Sequence, residues 1–367
     1  MIIGVLKEQT DARVSITPET TKKLIDKENQ VLVEKGAGAG AMLSDADYQE
    51  AGAQLAEQAE ILSSADIIIS IHPPSWDKLS KLPKGKIVIS LFNPLGDKEL
   101  ADKLVTSDII PFSLDRIPRT TIAQSMDILS SMASIAGYKA VLTAANHLPS
   151  HFPMLMTAAG TIPPARVLIL GAGVAGLQAI ATARRLGAIV EAFDVRSAAR
   201  EEVESLGAKF VEVEGAQEDL AAGGYAITQT EEYQNRQKAL IHEKASKAHV
   251  IITTANIPGR KAPILIEKAT VEAMQPGSVI VDLAAITGGN CELTENDKTI
   301  VRNGVTIIGN SNLPGEVSKD ASKMYSNNVL NFFNYVFKDG IEGIDYSNEI
   351  VAGTYFGKPK AEANTND

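Results

Sequence analysis

The stretch VLILGAGVAGLQAIATARRLGAIVEAFDVR, Val167–Arg196, decides the fold that the sequence predicts. An apolar run leads into three glycines, and a helical segment and a second apolar run follow, with Asp194 at the end. This order is typical of the strand, turn, helix and strand that bind a dinucleotide. Gly171 permits the tight turn, Gly173 lets the backbone approach a pyrophosphate, and Gly176 lets the helix pack closely on the strand.

The same stretch predicts how the nucleotide is held. The helix N-terminus offers N–H groups and a positive dipole end to the phosphates. Asp194 is placed to accept hydrogen bonds from both ribose hydroxyls of an adenosine, and it would repel a 2′-phosphate, so NAD is favoured over NADP. Arg196 keeps NADP open, since an arginine there can accommodate that phosphate. The alternative interpretation is a glycine-rich turn in a buried strand–helix unit.

Composition excludes several classes of protein. A chain of 367 residues is too long for one ordinary core and suggests two domains. A net charge of −10 argues against nucleic acid or an anionic membrane as a direct partner. The single cysteine, Cys291, rules out an internal disulfide and fits a reducing cytoplasm. MIIGVLKEQ is charged too early for a signal peptide and no hydrophobic span is expected, so work at a membrane would require a partner.

Strand and helix patterns alternate along the chain, which predicts an α/β fold of two Rossmann-like, doubly wound domains with mostly parallel sheets and a cleft between them. We expect a first domain at residues 1–125 plus about 318–367, a linking helix at 126–147 and a dinucleotide-binding domain at 148–317. Four prolines between 149 and 164 predict an extended or turned link. The strands predicted in the first domain are Met1–Leu6, Gln30–Lys35, Asp66–His72, Lys86–Phe92 and Ile109–Leu114. Asn303–Gly304 between apolar runs predicts a hairpin near the end of the second domain.

The loop PRTTIAQSMD carries one cation, one amide and one carboxylate, at Arg119, Gln124 and Asp127. Such a set could hold a nicotinamide carboxamide and ribose by hydrogen bonds. In the plain account, Ser125 or Gln124 starts a helix and Asp127 lies favourably in its first turn. Spacing alone does not separate the two.

Two other features have open interpretations. The segment after Val213 is acidic, then rich in Ala and Gly, and presents Tyr225 behind Gly223–Gly224; it is either a surface loop or a lid. His147 and His151 have helical spacing, but Pro149 breaks the face that metal ligation needs. No metal site is expected.

Long segments of the chain resemble a known superfamily. GVLKEQTDARVSITP and VEKGAGAGAMLSDADYQEAGA resemble the opening of the alanine dehydrogenase and proton-translocating NAD(P) transhydrogenase superfamily. Three further segments resemble the NAD(H)-binding domain I of the transhydrogenase alpha subunit: PRTTIAQSMDILSSMASIAGYKAV, FPMLMTAAGTIPPARVLILGAGVAGLQAIATARRLGA and VESLGAKF. The resemblance covers nearly the whole chain.

The resemblance implies a set of nucleotide contacts. Arg119, Gln124 and Asp127, with Ser130 nearby, match the loop at the nicotinamide end, although Ile122 replaces an arginine usual there. Tyr225 matches the tyrosine of a mobile loop that folds over bound nucleotide, which favours the lid. The remaining implied contacts are Thr120, Thr121, Val174, Ala175, Asp194, Val195, Arg196, Gly224, Gln237 and Asn256, the last at a usually apolar position.

Alanine dehydrogenase is the alternative within the superfamily. That enzyme uses a lysine and a histidine of the first domain and an aspartate after its VDxA strand. Here the matching segments read SIHPPS and LFNPL, with only an offset His72, and the aspartate position is Ile286. Oxidative deamination therefore has no evident base, whereas a hydride passing directly between two nicotinamides needs none.

The resemblance implies the NAD(H)-binding subunit of a proton-translocating transhydrogenase. Its NADH would pass a hydride to NADP⁺ held on a separate beta subunit, and a second, membrane-spanning alpha polypeptide would help couple the transfer to proton movement. A homodimer on the cytoplasmic face of the inner membrane is expected. A non-enzymatic NAD(H) sensor is the alternative from another class.

Overall fold

The computed structural model describes residues 1–213, 230–257 and 259–358. Two compact units divide the chain. The first combines Met1–Met132 with the described residues from Gly315 onward, and the second is Ala133–Pro314. The sheets are mostly parallel and helices alternate with strands, so the predicted α/β class is confirmed.

The first unit contains a six-stranded parallel sheet in the order β3-β2-β1-β4-β5-β6. Its strands are β1 (Ile2–Val5), β2 (Gln30–Glu34), β3 (Gln54–Ala56), β4 (Ile67–Ile69), β5 (Ile87–Ser90) and β6 (Ile110–Ser113). The five predicted strands are present and slightly shorter than expected. β3 was not predicted, because only one of its three residues is buried and no apolar run marks it.

The second unit contains a seven-stranded sheet in the order β11-β10-β9-β12-β13-β15-β14 and a separate two-stranded hairpin, β7-β8. Its strands are β7 (Leu155–Thr157), β8 (Gly160–Ile162), β9 (Arg166–Leu170), β10 (Ile189–Phe193), β11 (Lys209–Val211), β12 (Val250–Thr253), β13 (Val279–Asp282), β14 (Thr299–Arg302) and β15 (Val305–Ile308). Only β14 in the large sheet is antiparallel. Asn303 and Gly304 join it to β15 with φ angles of 50° and 76°, so the predicted hairpin is confirmed.

Helices cover the sheets. They are α1 (Pro18–Ile25), α2 (Asp45–Glu50), α3 (Gln58–Ser64), α4 (Trp76–Leu79), α5 (Lys98–Thr106), α6 (Ile128–His147), α7 (Val174–Arg185), α8 (Ala199–Ser205), α9 (Glu231–Ala245), α10 (Lys268–Ala273), α11 (Ser318–Val336) and α12 (Glu349–Thr354). In the second unit, alternate residues of β9 enter two separate cores: Val167 and Ile169 in one, Leu168 and Leu170 in the other. Both faces of that sheet are therefore buried, as a doubly wound fold requires.

Helix α11 returns to the first unit, as its apolar pattern predicts. Ser322 and Ser326 accept hydrogen bonds from the backbone N–H groups of Val14 and Thr17, both at 2.9 Å. Phe332 packs edge-on against Phe112 of β6, with ring centroids 5.9 Å apart. These contacts complete the first unit with a segment that follows the second unit in sequence.

Two elements between the large sheets differ from expectation. α6 begins at Ile128 rather than 126, and by length and composition alone it could cross a membrane, although core helices of soluble proteins meet the same test. The proline-rich link, expected to be extended or turned, forms the antiparallel hairpin β7-β8. All six of its strand residues are exposed. The prolines lie outside the strands, and the alternation of apolar residues is too short to predict them.

Candidate nucleotide-binding site

The glycine-rich turn joins β9 to α7 and tolerates no side chain at two of its glycines. Gly171 has a φ of 104°, and a Cβ there would lie 2.4 Å from Thr254 Oγ1. A Cβ on Gly176 would lie 1.9 Å from the Gly171 carbonyl oxygen. The turn therefore stays tight because helix and strand approach closer than any side chain allows, which is how glycines act in a dinucleotide fingerprint.

Gly173 has a different environment. A Cβ there would meet no atom of the described chain within 4 Å, so the protein's own packing does not require glycine. Gly173 precedes α7, and no side chain in the described ranges caps this helix N-terminus. Val174, the first helical residue, is exposed, and Ala175 follows it. Open space beside uncapped N–H groups fits a bound pyrophosphate.

Helix α6 approaches the same turn closely. A Cβ on Gly137 of α6 would lie 2.1 Å from the carbonyl oxygen of Ala175. Helix–helix contact therefore fixes the start of α7 from the side away from the strand. The sequence analysis did not single out Gly137, although a glycine inside a helical pattern signals close backbone approach.

Asp194 lies directly after β10, and its carboxylate accepts four hydrogen bonds. The Ala172 N–H donates to Oδ2 at 2.8 Å, and three donors of Arg196 reach the two oxygens at 2.8–2.9 Å. Burial raises the pKa of this carboxyl, but the Arg196 side chain more than offsets it, so the pKa lies below its ordinary value. Asp194 is thus an ionised acceptor beside the glycine turn, with Val195 between it and its cation.

The other predicted contacts of the second unit lie on two different elements. Gln237 is buried on α9, one turn after Tyr233, whose pKa is raised by burial and by the charge of Asp194. Asn256 is exposed after β12, and its Oδ1 accepts a hydrogen bond of 3.1 Å from Thr287. Gly224 and Tyr225 lie outside the described residues.

A buried carboxylate that the sequence analysis missed organises the loops beside this turn. Asp282 is fully buried at the end of β13. Oδ1 accepts from Thr253 Oγ1 and the Ala284 N–H at 2.9 and 3.0 Å; Oδ2 accepts from the N–H groups of Asn290 and Cys291 and from Thr294 Oγ1 at 2.7–3.0 Å. Within the described ranges no Lys or Arg pairs with it. Five donors stabilise its charge in place of a cation.

Asn290 passes this order on to the loop after β12. Its Nδ2 donates to the carbonyls of Ala255 and Pro263 at 2.8 Å each, and its Oδ1 accepts from the Ala255 N–H at 3.0 Å. Thr254, next to Ala255, donates to the Gly171 carbonyl at 3.0 Å. The glycine turn is thus connected by hydrogen bonds to Asn290 and Asp282. The partners come from four segments of sequence, so no local motif marks the network.

The residues predicted at the nicotinamide end belong to the first unit. Arg119, Thr121 and Gln124 are exposed, Thr120 is half-buried, and Ile122 is 64% exposed. Asp127 precedes α6: its Oδ1 accepts from the Ser130 N–H at 2.9 Å and its Oδ2 from the Ser130 hydroxyl at 2.5 Å. The helix-start residue is therefore Asp127, and the plain account that named Ser125 or Gln124 is wrong, because those residues form a separate 3₁₀ turn, Gln124–Met126.

The first unit also shows what stands where an amino-acid dehydrogenase needs its base. His72 is half-exposed, and its Nε2 lies 3.2 Å from Asp11 Oδ2. Asp11 is buried and paired with Arg13 at 2.5 Å. Ile286, at the position of that enzyme's aspartate, is 70% exposed in the second unit. Among the described residues no group of three or more His, Cys, Asp or Glu side chains could hold a metal ion.

Comparison with known proteins places this arrangement in a family. Residues 4–136 match the N-terminal domain and residues 140–358 the C-terminal domain described as alanine dehydrogenase/PNT. The chain belongs to the alanine dehydrogenase/PNT family. The two matched domains cover almost all of it.

Within this family the transhydrogenases are the nearer relatives. The chain is 44% identical over 350 residues to the first of the two alpha-subunit polypeptides of the NAD(P) transhydrogenase of Rhodospirillum rubrum, covering 92% of this chain and 91% of that protein. A crystal structure of transhydrogenase from Sinorhizobium meliloti superposes with a TM-score of 0.88 at 41% identity, covering 98% and 99% of the two chains. An L-alanine dehydrogenase structure gives a TM-score of 0.80 at 26% identity, covering 97% and 94%. The close homologues are therefore transhydrogenase alpha subunits, and alanine dehydrogenase is a distant one.

Proposed function

We propose that this protein is the NAD(H)-binding subunit of a proton-translocating NAD(P) transhydrogenase. The observation that carries the proposal is the glycine turn, which has space beside an uncapped helix N-terminus and an ionised Asp194 next to it. Its close relatives are transhydrogenase alpha subunits, which supports the same role. NADH, when bound, supplies the hydride, and the residues of this chain bind it and orient it.

We assign the two ends of the nucleotide to different residues. The N–H groups at Gly173–Ala175 would hold the pyrophosphate, Asp194 would hold the adenosine ribose, and Val174, Val195 and Arg196 would border it. Gln237 and Asn256 would complete the second unit's contacts. These groups bind the nucleotide without exchanging protons.

At the nicotinamide end, Arg119, Gln124 and Asp127 would orient the carboxamide and ribose. Asp127 is held by two hydrogen bonds from Ser130, so its carboxylate has a fixed direction at the start of α6. Alignment of donor and acceptor is the main requirement of direct hydride transfer. Thr120 and Thr121 lie in the same segment, and Tyr225 would cover the bound nucleotide.

The acceptor, NADP⁺, would lie on a separate NADP(H)-binding beta subunit, and a second, membrane-spanning alpha polypeptide would help couple the transfer to proton movement. The relative from Rhodospirillum rubrum is named as one portion of an alpha subunit, which supports such an assembly. We further propose a homodimer on the cytoplasmic face of the inner membrane. The exposed apolar side chains of Met154, Met156 and Ile162, on and beside the β7-β8 hairpin, support it, because a second copy would remove them from water.

Equilibrium binding and a substrate test examine this function directly. We expect the purified protein to bind NADH, measured by the change in nucleotide fluorescence on titration, and to produce no NADH from NAD⁺ and L-alanine. Sustained NADH production with L-alanine would instead establish an amino-acid dehydrogenase. Absence of NADH binding would reject the proposed site. Binding without hydride transfer in the presence of an NADP(H)-binding subunit would leave the sensor.

A further inference from the structure

The Asp194 carboxylate has no hydrogen-bonding capacity left. A carboxylate offers about four lone-pair sites, and four donors already occupy them. Oδ1 accepts from the N–H and Nε of Arg196, both at 2.9 Å, and Oδ2 accepts from Arg196 Nη2 and the Ala172 N–H, both at 2.8 Å. The side chain of Asp194 is only 8% exposed. Two ribose hydroxyls would therefore find both oxygens in use.

Of these four donors, only the guanidinium can leave without a backbone change. The Ala172 N–H belongs to the glycine turn, and the Arg196 N–H belongs to the chain directly after Asp194. The Arg196 side chain is 31% exposed, so rotation of its χ angles can move it toward solvent. Its departure would release one site on each oxygen, which matches the two hydroxyls of one ribose.

We infer that the Arg196 guanidinium competes with the adenosine ribose for Asp194, so that the nucleotide must displace this ion pair to bind. The inference rests on the proposed NAD(H) site and concerns the selectivity of that site. In the free protein the guanidinium compensates a buried carboxylate that would otherwise be costly to ionise. In the bound protein the ribose hydroxyls take over that task.

The exchange also affects selectivity between the two nucleotides. The displaced guanidinium lies two residues from Asp194, so it remains close to the 2′ position of the ribose. A 2′-phosphate would attract this cation, whereas a 2′-hydroxyl would only have to displace it. Arg196 therefore weakens NADH binding and favours NADPH relative to it.

The test compares NADH and NADPH affinities of the full chain carrying Arg196→Ala, Arg196→Lys or no substitution. We expect Arg196→Ala to bind NADH roughly three- to tenfold more tightly, the range of a partly exposed charged pair, and to bind NADPH no more tightly. Arg196→Lys should lie between, because lysine keeps the charge and loses the fork. A purely structural role would weaken both nucleotides together.

Two further variants make the result specific. Arg200→Ala is the matched control, because Arg200 lies one turn into the segment that follows and pairs with Glu212 instead; it should leave NADH affinity unchanged. In an Asp194→Asn background, Arg196→Ala should give no gain in NADH affinity, since the competed acceptor has lost its charge. Unchanged or weaker NADH binding by Arg196→Ala would overturn the inference. If the unsubstituted protein binds no NADH, the proposed function itself fails.

Discussion

Asp282→Asn tests whether a buried carboxylate holds the loops around the nucleotide site. The substitution keeps the shape of the side chain, removes its charge and turns one oxygen into an N–H donor. If the amide nitrogen takes the place of Oδ2, it faces two backbone N–H groups, those of Asn290 and Cys291. If it takes the place of Oδ1, it faces one, that of Ala284, and Thr253 can rotate to accept. The second orientation is therefore favoured.

The magnitude follows from that count. One buried backbone donor loses its partner, which costs about 1–3 kcal/mol, and the hydrogen bonds that remain lose the strengthening by charge. A neutral amide is less costly to bury than a carboxylate, which offsets part of this loss. We expect the free energy of unfolding of the second unit to fall by about 2–4 kcal/mol, at the upper end of what single substitutions do.

Urea unfolding, followed by circular dichroism at neutral pH, measures this change. With a slope of about 1–3 kcal/mol/M, the midpoint should fall by roughly 1–2 M. Glu243→Gln is the control: it also neutralises an acid of the second unit, but its exposed i,i+4 pair with Lys247 contributes only about 0.3–0.5 kcal/mol. If Asp282→Asn unfolds within about 0.5 kcal/mol of the unsubstituted protein, the five donors do not depend on the charge, and the reasoning is refuted.

Four other predictions concern the site and the first unit. Gly176→Ala would place a Cβ 1.9 Å from a carbonyl oxygen, so α7 must shift; calorimetry should show a lower melting temperature and titration a weaker NADH affinity, and a fully active variant would contradict the close packing. Asp127→Asn should slow hydride transfer far more than it weakens NADH binding, because nicotinamide alignment suffers; an unchanged single-turnover rate would remove the assigned role. Tyr225→Ala should leave thermal stability intact and loosen NADH binding, whereas identical affinity and transfer rate would return the segment to a plain surface loop. Although burial opposes it, hydrogen bonds from His72 and Arg13 hold the pKa of Asp11 well below its usual range. Asp11 therefore stabilises the fold at neutral pH and loses this effect as pH falls below about 4. The stability gap between Asp11→Asn and the unsubstituted protein should narrow in acid urea titrations, and a constant gap would contradict the assigned charge pairing.

Local signals in the sequence predicted the features that a few neighbouring residues determine. The turn at Gly171 and Gly176 could be predicted because its glycines act on the adjoining strand and helix. The β14-β15 hairpin could be predicted because Asn303 and Gly304 both adopt positive φ angles, which few residue pairs tolerate. The parallel sheets followed from apolar runs long enough to be buried on both faces.

Features that depend on distant partners could not be predicted. Asp282 is an ordinary acid at the end of a strand until Asn290 and Thr294 fold against it. The pairing of Asp194 with Arg196 satisfies both residues in the free protein, which a motif written for bound nucleotide does not describe. The β7-β8 hairpin has exposed apolar residues, opposite to the pattern by which strands are recognised. Roles at Arg119, Gln237 and Asn256 stay predictions.

The central claim is that this chain presents NADH for direct hydride transfer to NADP⁺ on another subunit. The most direct measurement follows deuterium from the nicotinamide C4 of labelled NADH, with the purified protein added to an NADP(H)-binding beta subunit and its membrane partner. We predict that mass spectrometry will find the deuterium in NADPH, with no loss to water, and only when this protein is present. NADPH that forms without the label, or forms equally without this protein, would contradict the claim.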